Sequence, residues 1–148
     1  MLFGETAITI DDKGRMAIPS AYRETLSALC KNWMVVTYNP YERESLWLYP
    51  KPEWERVRDQ VMSLSSQRQA HRDLQRKLVG AAAHVELDAS GRLMLPATAR
   101  ASVGLNKHAV LLGMGMKFEL WTEAAQRARL ELPIGEGDIS PEMAQLSF

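Results

Sequence analysis

The chain of 148 residues is 46% apolar and 24% charged, the proportions of one soluble globular domain or of two small ones sharing a core. No apolar run approaches the roughly 20 residues of a membrane helix, and Met1-Leu2-Phe3-Gly4-Glu5 lacks the basic start and apolar block of a signal peptide, so a cytoplasmic protein with no membrane partner is expected. The formal net charge of zero averages unlike parts: residues 1–118 hold 16 Lys and Arg against 12 Asp and Glu, whereas residues 119–148 hold 2 against 6. Cys30 is the single cysteine, which excludes an intrachain disulfide framework.

In chain order, Thr6 to Ile10 alternate and are rich in β-branched residues, which predicts a strand. Asp11-Asp12-Lys13-Gly14 has the chemistry of a tight hairpin, with Met16 to Ile18 as the returning strand. Pro19 suits the first turn of a helix over Ser20 to Leu29. Trp33 to Tyr38 and Ser45 to Tyr49 read as strands around the polar turn 39–44. A helix follows from Pro52 with Trp54, Val57, Val61 and Leu64 on one face. Ser65-Ser66 interrupts it, and Gln67 to Val79 resumes with Arg68, Arg72 and Arg76 along a face that reads as solvated.

The opening scheme then returns. Leu87-Asp88-Ala89-Ser90-Gly91-Arg92-Leu93-Met94-Leu95-Pro96 repeats Ile10-Asp11-Asp12-Lys13-Gly14-Arg15-Met16-Ala17-Ile18-Pro19 without a gap, and Arg23 and Arg100 fall at the same offset beyond the Pro. Strands at 85–87, 93–95, 108–113 and 117–121, a helix at 96–103 and a stop at Gly104 complete the second repeat. Its offset falls from 77 to 72 at the closing strands, which predicts a hairpin loop about five residues shorter. Thr122 can cap a last helix to about Leu130, and the acidic tail beyond it offers only a short helical turn at Ser140-Pro141.

A unit of some 45 residues is too small to bury a core alone, so two in one chain should complete each other about an internal pseudo-twofold. That arrangement can bring the two turns to one side, with Arg15 and Arg92 as a matched pair of guanidiniums suited to the twofold-related backbone of a duplex.

Asp-x-x-Gly-Arg followed by three apolar residues and Pro occurs twice. Leu46-Trp47-Leu48-Tyr49-Pro50 closes the first repeat and Lys117-Phe118-Glu119-Leu120-Trp121 the second. In this the chain resembles, over about residues 1–127, the MraZ family of bacterial transcriptional regulators, of the AbrB/SpoVT swapped-hairpin superfamily. The resemblance implies an α+β, strand-rich fold in which two tandem AbrB-like swapped-hairpin units form an intramolecular pseudo-twofold barrel, joined and flanked by helices. The units would be residues 1–52 and 81–122, with linking helices at 53–80 and a C-terminal helix and acidic tail at 123–148. It also implies a ring-like homo-oligomer that binds double-stranded DNA at promoter direct repeats of the division and cell-wall gene cluster, in the cytoplasm and on the nucleoid. The family's Asp-x-x-x-Arg residues correspond to Asp11 and Arg15 and to Asp88 and Arg92. Lys13 is matched by Ser90, so the second arm offers one cation fewer and the first should contribute more to DNA affinity. Met1-Leu2-Phe3-Gly4 replaces the family's usual Met-Phe-Arg-Gly, and Met114 and Met116 stand where polar residues are expected.

The DNA-contact set is thus Arg15, Lys13 and Arg92, with Asp11, Gly14, Asp88 and Gly91 building and orienting the turns. Arg23 and Arg100 read as ion pairs at the unit interface. An aspartic dyad of Asp11 and Asp88 lacks the Ser/Thr-Gly that follows such an Asp. His71, His84 and His108 have no ligand spacing, and no nucleophile or phosphate-loop pattern is present. The sequence therefore calls for no enzyme, metal, cofactor or small-molecule substrate. The other reading is an antitoxin-like protein-interaction module.

Overall fold

The computed structural model describes all 148 residues. The first repeat comprises β1 (Leu2–Thr9), β2 (Arg15–Ala17), α1 (Ser20–Cys30), β3 (Trp33–Tyr38) and β4 (Ser45–Pro50). Then come α2 (Lys51–Met62) and α3 (Gln69–Gln75), which runs into a π-helical turn, Arg76–Gly80. The second repeat comprises β5 (Ala83–Glu86), β6 (Arg92–Met94), α4 (Ala97–Val103), β7 (His108–Gly115) and β8 (Phe118–Thr122). The chain ends with α5 (Glu123–Glu131), a 3₁₀ turn at Glu136–Asp138 and α6 (Pro141–Ala144).

The expected hairpin of β1 with β2 does not form. The two strands meet through a single bridge, Ile10 to Met16. Instead β1 pairs along its whole length with β7 of the second repeat, and β5 pairs with β3 of the first. The six-stranded sheet has the order β1-β7-β8-β4-β3-β5, while β2 and β6 pair only with each other. Both sets are antiparallel and symmetric. The centre of one lies at Trp47 opposite Glu119, and that of the other at Met16 opposite Leu93. At the first centre Trp47 Nε1 and Trp121 Nε1 donate to the two Glu119 oxygens at 2.9 and 3.0 Å. The sheet is open, with β1 and β5 as free edges, where the resemblance implied a barrel. Strands of three residues form the β2–β6 ribbon, and they make no ladder with either edge.

The ribbon, α1 and α4 cover one face of the sheet. The core there draws on both repeats, with Met16, Ile18, Leu26, Met34 and Leu46 from the first and Leu93, Leu95, Leu111, Phe118 and Leu120 from the second, all at most 2% exposed. A second cluster on the other side joins Val35 and Tyr49 to Trp54, Val61 and Leu78. Thr37 Oγ1 sits between the carbonyls of Lys77 and Leu78, at 3.0 and 2.9 Å, satisfying carbonyls that the wide π-turn frees. The helix expected to Val79 therefore changes character at Arg76.

The length difference between repeats is also distributed otherwise than expected. Ile10 N donates to Lys107 O as Leu87 N does to Asn32 O, so the offset has already fallen from 77 to 75 before the closing hairpin. Helix α1 has 11 residues against 7 in α4, partly offset by a longer connection after α4. Both helices end in a left-handed residue, Lys31 and Gly104.

Candidate nucleic-acid interface

Each turn is held by its aspartate. Asp11 Oδ1 accepts the N–H of Lys13 at 3.0 Å and of Arg15 at 2.9 Å, while Gly14 N–H donates to the Asp11 carbonyl and takes φ of +86°. Asp88 repeats this with the N–H of Ser90 at 2.8 Å and of Arg92 at 3.0 Å, and Gly91 takes φ of +75°. A short side chain that accepts from amides two and four residues on closes a loop that backbone alone would leave half-bonded. The second oxygen holds the arginine: Arg15 Nε donates to Asp11 Oδ2 at 2.8 Å, whereas Arg92 Nε stands 3.4 Å from Asp88 Oδ2. Both carboxyls lie below the ordinary 3.8. The Arg15 backbone N–H is the main cause at Asp11, ahead of the Arg15 side chain, and the Arg92 backbone N–H is the main cause at Asp88.

The register of the ribbon decides what these turns present. Arg15 lies opposite Met94 and Arg92 opposite Ala17, so these four side chains share one face, while Met16 and Leu93 point the other way and are 1% and 2% exposed. Arg15 and Arg92 are then diagonal neighbours, with Cα atoms about 7–8 Å apart. The arginines flank the middle of an exposed face, each reaching back toward the aspartate of its own turn, and the aspartates sit at the opposite ends, because Gly14 lies across from Leu95 and Gly91 across from Ile18. The turns are thus separated by about 13 Å along the ribbon, a spacing at which the carboxyls share no proton.

Arg23 and Arg100 do lie at the unit interface, and they take part in none of the ion pairs. The turn carboxylates that an ion pair would use are engaged by Arg15 and Arg92. Each free guanidinium instead lies against the turn glycine of the other repeat. A Cβ at Gly14 would stand 2.7 Å from Arg100 Nε, and one at Gly91 would overlap Arg23 Nε, with Cζ at 2.6 Å. Arg23 Nε donates to Ile18 O at 3.2 Å, and Arg100 Nε is buried without a hydrogen-bond partner. The shared offset of these arginines beyond Pro19 and Pro96 was visible in the sequence; their reach into the opposite repeat was not.

Formal charge does not separate the two arms. Asp12 offsets Lys13, so Asp11, Asp12, Lys13 and Arg15 sum to zero, as do Asp88 and Arg92 with Ala89 and Ser90 between. Each turn becomes positive only with the arginine that the other repeat places beneath its glycine. The Arg stripe of α3 is partly occupied by its own helix, since Arg72 donates to Ser66 O and Gln69 Oε1 and Arg76 lies 3.7 Å from Asp73. The three histidines lie apart, on α3, β5 and β7. No helix is long and apolar enough to cross a membrane.

Two interlocked repeats thus set a pair of arginines on one open, symmetric face. The chain belongs to the MraZ family: the model described as "MraZ protein, putative antitoxin-like" matches residues 1–77 and 78–130. It is 55% identical to a protein of Xanthomonas oryzae pv. oryzae named transcriptional regulator MraZ, with 99% of each chain covered. Proteins of the same name from Stenotrophomonas maltophilia and Marinobacter nauticus are 53% and 44% identical, the first over 100% of both chains and the second over 98% of this chain and 97% of its own.

Proposed function

We propose that the chain is a sequence-specific DNA-binding transcription regulator, in the cytoplasm and on the nucleoid, and not an enzyme. It acts as a ring-like multimer on promoter direct repeats of the division and cell-wall gene cluster. The observation that carries the reading is the placement of Arg15 and Arg92 as diagonal neighbours on the exposed face of the β2–β6 ribbon. A two-stranded ribbon fits a major groove, and a guanidinium fixed in orientation can grip a phosphate bidentately or read a guanine edge. Lys13 adds a contact from the first turn, and Asp11, Gly14, Asp88 and Gly91 aim the arginines. Arg23 and Arg100 supply the positive field beneath them. Residues 1–52 and 81–122 act as the two recognition units, carried by the linking helices 53–80 and followed by the segment 123–148.

Few phosphate contacts per chain make a single protomer a weak binder, so affinity comes from several protomers on evenly spaced repeats. Footprinting on the region upstream of the protein's own gene is expected to show protection at regular spacing. In a mobility-shift titration Arg15→Ala weakens binding by more than tenfold without changing the oligomer; unchanged affinity removes Arg15 from the contact set. The family's antitoxin-like description supports a second reading, a protein-interaction module. Salt separates the two, since duplex binding falls steeply between low and moderate salt and a stoichiometric protein complex without DNA retention does not require it.

A further inference from the structure

The β3–β4 loop, the π-turn and the end of α4 enclose a groove of about 600 Å³ whose walls include Tyr38, Pro40, Tyr41 and Val103. Arg43, Arg76 and Lys77 also line it, and its one acidic residue, Glu42, is already paired with Arg129 of α5. Arg43 and Lys77 take part in no ion pair. The groove therefore offers aromatic and aliphatic surface with unspent positive charge beside it, and Tyr41 is 80% exposed.

The segment beyond α5 has the opposite character. Leu132 and Ile134 are each 68% exposed, Ile139 49% and Leu146 65%, and the Phe148 side chain is fully open. Between them stand Glu136, Asp138 and Glu142, with no Lys or Arg after Arg129. The segment nevertheless has local shape: Asp138 N–H donates to Gly135 O, and Ser140 Oγ accepts from Met143 N–H at 3.2 Å. A shaped apolar segment with no core beneath it gains little from remaining in water.

We infer that residues 132–148 of one copy of the chain dock in the Tyr38–Tyr41–Lys77 groove of a second copy, their acidic side chains meeting Arg43, Arg76 and Lys77. This rests on the multimeric part of the proposed function and names the contact. The chain's own tail starts at the groove's rim, where Arg129 pairs with Glu42, yet it lines none of the groove. A tail-into-groove contact between copies is heterologous, so it repeats from copy to copy and closes into a ring when the rotation permits. Apolar walls suit the leucines and Phe148 better than they suit the sugar-phosphate chain of a nucleic acid.

The test uses the full chain with charges exchanged. One variant carries Glu136→Lys, Asp138→Lys and Glu142→Lys; the other carries Arg43→Glu and Lys77→Glu. All five positions are exposed. In sedimentation without DNA, the unaltered chain is expected to run as a multimer, each variant alone at the mass of a single chain, and their equimolar mixture again as a multimer, because each tail then meets a groove of opposite sign. A single-chain mass for the unaltered protein, multimers from either variant alone, or a mixture that stays dissociated would each overturn the assignment. Groove reversal that leaves sedimentation unchanged but weakens retention of a promoter duplex would give the groove to nucleic acid and overturn it as well. Arg15→Ala run in parallel separates the two readings: loss of the mobility shift with the multimer intact is a matter of the turns, and failure of the charge exchange is a matter of the groove.

Discussion

Asp11 and Asp88 each use one oxygen to close a turn and the other to hold an arginine, so protonation loosens both at once. Both carboxyls are held below 3.8 by backbone N–H groups. A depressed carboxyl contributes its stabilisation above its unfolded value and loses it as pH falls through the depressed one, so the turns are still closed at pH 3.8 and open only below it. Amide shifts of Lys13, Arg15, Ser90 and Arg92 followed by NMR should move with midpoints under 3.8; a midpoint at or above that value refutes the account. Gly14 bears two constraints, a φ of +86° and the Arg100 guanidinium beneath it. Gly14→Ala should cost about 1–3 kcal/mol in urea denaturation. Adding Arg100→Ala should return part of that cost, a coupling that additive behaviour would disprove. The arms themselves differ less in charge than Lys13 against Ser90 suggests. Arg15 is fixed by a bond of 2.8 Å where Arg92 stands off at 3.4 Å, so the first arm is the better prepared one. Arg15→Ala is accordingly expected to weaken promoter binding more than Arg92→Ala, and equal losses would show the preparation to be irrelevant. The Asp-to-Gly chemistry was legible in the sequence because it is local, while the guanidinium under each glycine comes from the other repeat.

Among the elements, the strands were legible and their partners were not. Alternation in Thr6 to Ile10 fixes which side chains face inward, yet it carries no information on which strand lies alongside, and a turn as tight as Asp11 to Gly14 suggests a hairpin that β1 and β2 never make. The π-turn was hidden for a related reason: its apolar spacing is close to that of a helix, and what marks it is the Thr37 hydroxyl arriving from β3. Thr37→Val keeps the shape and removes that donor, so it should destabilise the chain by about 1–2 kcal/mol in chemical denaturation. A loss within error would mean that water takes over those carbonyls.

At the scale of the molecule, the repeats share β-ladders and one main core, so neither half has an interior of its own. Thermal unfolding of the isolated protomer should be one transition with equal calorimetric and van't Hoff enthalpies, and two resolved transitions would contradict the interlocking. That the repeats complete each other could be argued from their size, whereas the open sheet could not, since its two edges are set by ribbon strands too short to bridge them.

The fusion of the repeats has one more effect at the ribbon. In a dimer of identical chains every substitution strikes both arms, and such a surface fits a duplex equally well in either direction. Here Asp12-Lys13 faces Ala89-Ser90 across the axis, and a change at one arm leaves the other untouched. Under the proposed function the surface therefore has a head and a tail, and a bound protomer points one way along the double helix.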